Sequence, residues 1–232
     1  FNSLKDNYFL YNLMEVDHVF SMDSTWIEQL KVIGLKNISF LQSGVDDETF
    51  FVQSQTDEFY NEHQSDIVFI GNCHSTIEGY KRTLFLSQFT GMSLKIHGNI
   101  GWKKWFDHFP ELKNHFVLKT SPYSFEKMNK IYNSCLIAPI DTYPGVISGL
   151  HPKIFDCIAA GIFPLVEYRR DTEDLFENTG IALVRDYTKA RDLAEYFLRN
   201  EAERKEILQN LRELVLAKYT SLNFAQSILA EL

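Results

Sequence analysis

The chain has 232 residues, enough for one large domain or for one full domain with part of another. It is 45% hydrophobic and 23% charged, an ordinary globular composition, which excludes a disordered or fibrous chain. Its formal net charge of −8 argues against non-specific nucleic-acid binding, because a phosphate backbone needs a basic face.

The sequence opens at Phe1 in mid-pattern, and we expect further sequence upstream. A strand is predicted over 18–21 ("HVFS"), a helix over 23–34 and a second strand over 37–41. Asp23 or Ser24 would cap that helix and Gly34 would stop it. These make one β-α-β piece, the tail of an N-terminal α/β domain over 1–42. Residues 42–65 are polar and acidic with no sustained period, so 43–65 reads as an interdomain linker docked by Phe50, Phe51 and Tyr60.

From Asp66 onward strands and helices alternate. Strands are predicted over 66–71, 93–98, 115–119, 136–140, 163–168 and 181–185. Helices are predicted over 76–91, 102–109, 121–135, 152–160 and 171–178. The rest is helical, over 188–200, 201–219 and 221–232. Six strands alternating with helices imply a doubly wound parallel, Rossmann-like α/β sheet over 66–219. The last helix, 220–232, would pack back on the N-terminal part.

The three cysteines, Cys73, Cys135 and Cys157, include no C-x-x-C pair and each borders an apolar run. They read as buried thiols in a reducing compartment, not as a disulfide framework or a zinc site. No apolar stretch approaches the ~18 residues of a membrane span, and no signal peptide is visible.

Ligands of an open parallel sheet bind beyond the carboxyl ends of its strands, so the loops there carry the candidates. After the strand 66–71, Gly71 allows close approach and Asn72, His74 and Ser75 offer hydrogen bonds. Lys81 and Arg82 could lean toward a phosphate or form a solvated helix face. "GNCHSTIEG" lacks the G-x-G-x-x-G spacing, which speaks against a dinucleotide site, and no P-loop is present. His74 and His97 lie at strand ends; His151 stands out further.

It belongs to "SGLHPKIFDCIAAGIFPLVEY", residues 148–168. Pro152 suits a first helical turn, Gly161 a helix end, and Ile154, Phe155, Ile158 and Ala159 a buried stripe. The helix N-terminus then faces the ligand edge with free N–H groups and the positive dipole end. Ser148 and Gly149 precede it, Lys153 adds charge for a diphosphate, and Asp156 could accept two ribose hydroxyls. The same residues also fit an ordinary capped helix with an i,i+3 ion pair.

The stretch from Asp156 to Gly161, followed by a strand, resembles the donor-binding half of GT-B glycosyltransferases. Their paired acids, E-x7-E, are half kept: Asp156 holds the second place and Ser148 the first. The run from His151 to Asp156 is similar to the Asn-Met-Arg-x-Phe-Glu pattern of the spore-maturation (CgeB-like) glycosyltransferases, with histidine at the asparagine place. "DIVFIG", "LKIHG" and "MNKIYNSCLIAPI" follow in the same order.

The resemblance implies a GT-B C-terminal domain that binds a nucleotide-sugar donor, with no cofactor and no obligatory metal. It places Gly71, Asn72 and Arg82 near the diphosphate and Tyr123 and Ser124 near the base. Ser148, Gly149, His151 and Lys153 would meet phosphates or sugar, and Asp156 the ribose. His151 is the candidate catalytic group. The acceptor would be a glycan, a lipid-linked glycan or a protein, and the location cytoplasmic or peripheral to a membrane. A non-catalytic module or a nucleotide-sugar epimerase on the same scaffold stands beside this reading.

Overall fold

A computed structural model of the chain describes residues 7–54 and 56–231. Phe1, where the pattern opens, lies outside the described residues. After helix α1 (Asn7–Glu15), which the sequence reading did not name, β1 (Val19–Ser21), α2 (Ser24–Val32) and β2 (Ile38–Phe40) form a parallel β-α-β unit, with Val19 opposite Ile38. Asp23 caps α2, accepting the N–H groups of Thr25 and Trp26.

The segment 42–65 is not irregular throughout. It holds α3 (Asp57–His63), a polar helix capped by Thr56, and so was invisible to a search for apolar period. Val45 and Phe50 are fully or nearly fully buried, whereas Phe51 and Tyr60 are exposed. Asn129 and Asn133 fasten the stretch by accepting from the N–H groups of Phe51 and Gln53.

The main sheet contains β3 (Ser65–Ile70), β4 (Leu94–Gly98), β5 (Phe116–Leu118), β6 (Cys135–Ile140), β7 (Phe163–Glu167) and β8 (Ala182–Val184). Its order is β5-β4-β3-β6-β7-β8, and every pairing is parallel. The chain winds outward in one direction from β3, returns, and winds outward in the other from β6. This reversal puts helices on both faces, as right-handed crossovers require.

Both faces of the inner strands are therefore largely buried, which explains their continuous apolar character, whereas the edge strand β5 leaves Val117 and Leu118 exposed. Side chains alternate between faces. Val68 and Ile70 join one core with α5 (Phe125–Tyr132), α6 (Lys153–Ala160) and α9 (Glu201–Lys218). Ile67 and Phe69 join the other with α4 (Ile77–Ser87) and α8 (Ala190–Arg199). The helix expected over 102–109 is instead a pair of 3-10 turns, Ile100–Trp105 and Pro110–His115. Trp102 is wholly buried there, and its Nε1–H donates to the Gly71 carbonyl at 2.9 Å.

The start of the crossing segment returns to the junction of α9 with α10 (Ser221–Glu231). Val45 N–H donates to the Tyr219 carbonyl, and Ser221 N–H to that of Val45, both at 2.8 Å. Gly44 must be glycine here, since a Cβ would stand 2.1 Å from the Thr220 carbonyl oxygen.

Candidate functional site

The strand order reverses between β3 and β6, and α6 begins above that point. Its helical form follows from its residues: Ile154, Phe155, Ile158 and Ala159 are all buried against the sheet. Gly161 ends it at φ 82, a left-handed conformation that favours glycine.

Lys153, the first residue of α6, reaches back over Gly71. Its Nζ donates to the Ile70 carbonyl at 2.6 Å and lies 5.2 Å from the centre of the Phe69 ring. A Cβ at Gly71 would lie 3.5 Å from that Nζ and would strike Phe69, so the expected close approach at Gly71 is to this chain's own side chains. The ion pair with Asp156 does not form; among the described residues Lys153 has no carboxylate partner. Burial, then the Arg82 guanidinium, holds its pKa below the ordinary lysine value.

His151 accepts the Lys153 N–H on Nδ1 at 3.1 Å. It thus caps α6, a task that an asparagine at this place could also perform. Burial first, and Lys153 second, drive its pKa down to about 3. The ring is neutral near pH 7, with its proton on Nε2 because Nδ1 is an acceptor. Asp156, one turn into α6, has no hydrogen-bond partner among the described residues. Burial raises its pKa to about 6 against the pull of Lys153.

Arg82 and Lys81 take roles different from both sequence expectations. Arg82 is neither free for a phosphate nor a solvated face: it is 7% exposed, and its Nε donates to the Asp141 oxygens at 3.0 and 2.9 Å. It also pairs with Glu78 at 3.3 Å and donates to the Asn72 carbonyl. Lys81 donates to the Thr142 carbonyl at 2.6 Å and pairs with Glu167, which also holds Arg169 at 2.9 Å. These cations are matched by acids that close β6 and β7. The sequence reading missed Asp141 and Glu167, though an acid ending an apolar run ("LIAPID", "FPLVE") was the available signal.

Ser148 and Gly149 do not line open space. Ser148 is buried, with its Oγ 2.6 Å from Thr25 Oγ1 and its N–H on Asp23 at 3.1 Å. A Cβ at Gly149 would stand 2.4 Å from the Met22 carbonyl oxygen. The close approach glycine permits is to the N-terminal β-α-β unit, not to a ligand.

Ser124 caps α5 by accepting the Lys127 N–H at 3.2 Å. The Tyr123 hydroxyl lies 3.2 Å from His97 Nδ1, and the ammonium groups of Lys127 and Lys119 lie 4.3 and 5.5 Å from its ring centre. Beside them a cavity of about 240 Å³ opens between Asn72, Asn99, Lys119, Thr120, Ser121 and Pro122. Asn72 lines it; Tyr123 and Ser124 only flank it. Asn99 and Lys119 were not foreseen. Larger recesses occur beside Arg185, along 199–205, and between α2 and α7 (Arg170–Leu175); none of them is lined by Gly71, Asn72, His151, Lys153 or Asp156.

Residues 81–230 match the family described as glycosyl transferase-like. No curated protein matches the chain. Solved structures with this fold include a glycosyltransferase from Rickettsia africae, 13% identical, with TM-score 0.70, covering 97% of this chain and 66% of that one. Anabaena HepE, solved with UDP and glucose, is 8% identical with TM-score 0.75, covering 99% of this chain and 67% of HepE. Sucrose-phosphate synthase from Thermosynechococcus elongatus is 13% identical with TM-score 0.71, covering 96% of this chain and 60% of that one. At such identities the likeness establishes the fold, that of GT-B glycosyltransferases. The chain thus spans about two thirds or less of the length of these structures. Among the described residues no helix is long and apolar enough to cross a membrane.

Proposed function

The chain belongs to the glycosyl transferase-like family, and on that premise we propose that it is the donor-binding part of a glycosyltransferase that takes a nucleotide sugar and needs no metal. The observation that carries this reading is Lys153: a buried ammonium that among the described residues forms no ion pair, at the N-terminus of α6 and one turn from the Asp156 carboxylate.

Sugar transfer builds negative charge on the departing diphosphate, and fixed donors stabilise that charge without reorganising. Lys153 and the Nε2–H of His151 would supply them; the first N–H groups of α6 are already taken by the His151 ring and by the carbonyls of His151 and Pro152. His151 is then a neutral donor, since a ring with pKa about 3 cannot be the acid near pH 7. Asp156, ionised above about pH 6, would accept the ribose hydroxyls. The cavity bordered by Asn99 and Lys119 would take the base, with Tyr123 at its flank.

HepE is solved with UDP, which makes UDP-hexoses the first donors to try. Within the family we place the chain with the spore-maturation (CgeB-like) enzymes, on the run from His151 to Asp156. Residues 66–219 would be the donor domain, 43–65 the crossing between domains, and 1–42 the tail of an acceptor-side domain, with 220–232 packing back on it. The acceptor would be a glycan, a lipid-linked glycan or a protein. Three buried free thiols suit a cytoplasmic setting.

Calorimetric titration with UDP, GDP, ADP, CMP and TDP tests the reading. One of them binds the wild-type chain, and Lys153→Met and Asp156→Ala each weaken it about tenfold or more, the loss of one charge-assisted hydrogen bond. No heat and no thermal shift with any of the five would refute it.

A further inference from the structure

We propose that Asp23, in the N-terminal β-α-β unit and outside the matched residues 81–230, is a positioning residue for the N-terminus of α6. Its carboxylate, only 5% exposed, joins two parts of the molecule. One oxygen accepts the N–H groups of Thr25 and Trp26 at 3.0 and 3.2 Å and so caps α2. The other accepts the N–H groups of Ile147 and Ser148 at 2.6 and 3.1 Å, more than a hundred residues later in the chain.

Neighbouring contacts hold the same loop. Trp26 Nε1–H donates to the Gly145 carbonyl at 3.1 Å, Thr25 meets Ser148, and the Met22 carbonyl presses on Gly149. Ser24 adds two bonds to Asp171, whose own N–H donates to the Ser148 carbonyl at 3.0 Å. The clasped residues run directly into His151, which caps α6 at Lys153. Only Gly149 and Leu150 separate Ser148 from His151, too few to absorb a shift of the loop. Where Asp23 holds Ile147 and Ser148 therefore fixes where the cap, the helix N-terminus and the Lys153 ammonium stand. Two clasped N–H groups left without an acceptor would favour another loop path, because buried donors must be satisfied.

The consequence for binding rests on the donor-site reading above; the positioning itself does not. The informative variant is Asp23→Ser. A serine still caps α2 but is too short to reach Ile147 and Ser148. Asp23→Asn is the second variant, keeping the length and one acceptor. Hydrogen exchange followed by mass spectrometry should show faster exchange over 145–153 in Asp23→Ser, with that over α2 unchanged. UDP, or whichever nucleotide of the panel binds the wild type, should bind Asp23→Ser about tenfold more weakly and Asp23→Asn in between, in protein that still shows one cooperative thermal transition, its midpoint lowered by the two unsatisfied N–H groups. Unchanged exchange over 145–153 overturns the proposal whether or not any nucleotide binds. So does unchanged affinity in a folded Asp23→Ser protein. A wild-type chain that binds nothing sinks the donor-site reading alone, and the exchange data still decide the role of Asp23.

Discussion

His97, next to last in β4, is 1% exposed, packed between His63 of α3, 5.7 Å away by ring centres, and Tyr123. Its Nδ1 faces the Tyr123 hydroxyl, while its Nε2 is buried with no hydrogen-bond partner among the described residues. Lys95, Lys119 and Lys127 surround it, and Glu62 lies at the far side of His63. Burial first, then His63 and after it the three lysines, drives its pKa from 6.5 to about 3. The unfolded chain therefore binds a proton at His97 between those values and the folded chain does not, so stability falls as pH drops below 6.5 and is full above it. At pH 5 the gap to the unfolded value is about 1.5 pH units, which at about 1.36 kcal/mol each is a loss of roughly 2 kcal/mol. This figure barely depends on how far below 5 the folded value lies, because the folded ring is neutral there in any case. His97→Asn keeps an oxygen near the place of Nδ1 for Tyr123 but cannot titrate. Urea unfolding of both proteins at pH 8 and pH 5 measures the difference of differences, which cancels the cavity the smaller side chain leaves and the titration of His63 and the carboxylates. Wild type should lose about 2 kcal/mol more than His97→Asn. Equal losses, within roughly 0.5 kcal/mol, would mean that His97 titrates as an exposed imidazole, and the reasoning would fail.

Arg82→Met leaves Asp141, 2% exposed, with an uncompensated buried charge and should cost about 3–5 kcal/mol in urea unfolding. The double variant Arg82→Met with Asp141→Leu should recover most of that; no recovery would mean that the loss came from packing. Gly149→Ala drives a Cβ into the Met22 carbonyl oxygen and should destabilise by about 1–3 kcal/mol, a cost absent if α2 is not seated on this loop. Nucleotide affinity should fall as pH passes below about 6, where Asp156 takes up its proton. Asp156→Asn should lose that step while keeping any step due to the phosphates themselves, and an identical pH profile would remove Asp156 from the site.

The sequence alone determined the alternation of buried strands and helices from Asp66 onward, because strands covered on both faces must be apolar and helices must show a stripe. It also placed the start of α6 at the carboxyl edge of the sheet, since Pro152, Gly161 and the buried stripe are local signals. It did not reveal α3, whose residues are polar and whose stability comes from its cap and its neighbours. Nor could it tell which polar residues at that edge are free and which are spent. Arg82 and Lys153 look alike in the sequence, but Asp141 and Glu78 neutralise one, while the other meets a carbonyl and a ring. Ser148 and Gly149 look like ligand contacts until Asp23 and Met22, more than a hundred positions earlier, are seen to occupy them. Spacing along the chain sets which residues share an element and a face. Only the tertiary structure sets which charges meet, because pairing across the sheet edge depends on residues that no local period connects.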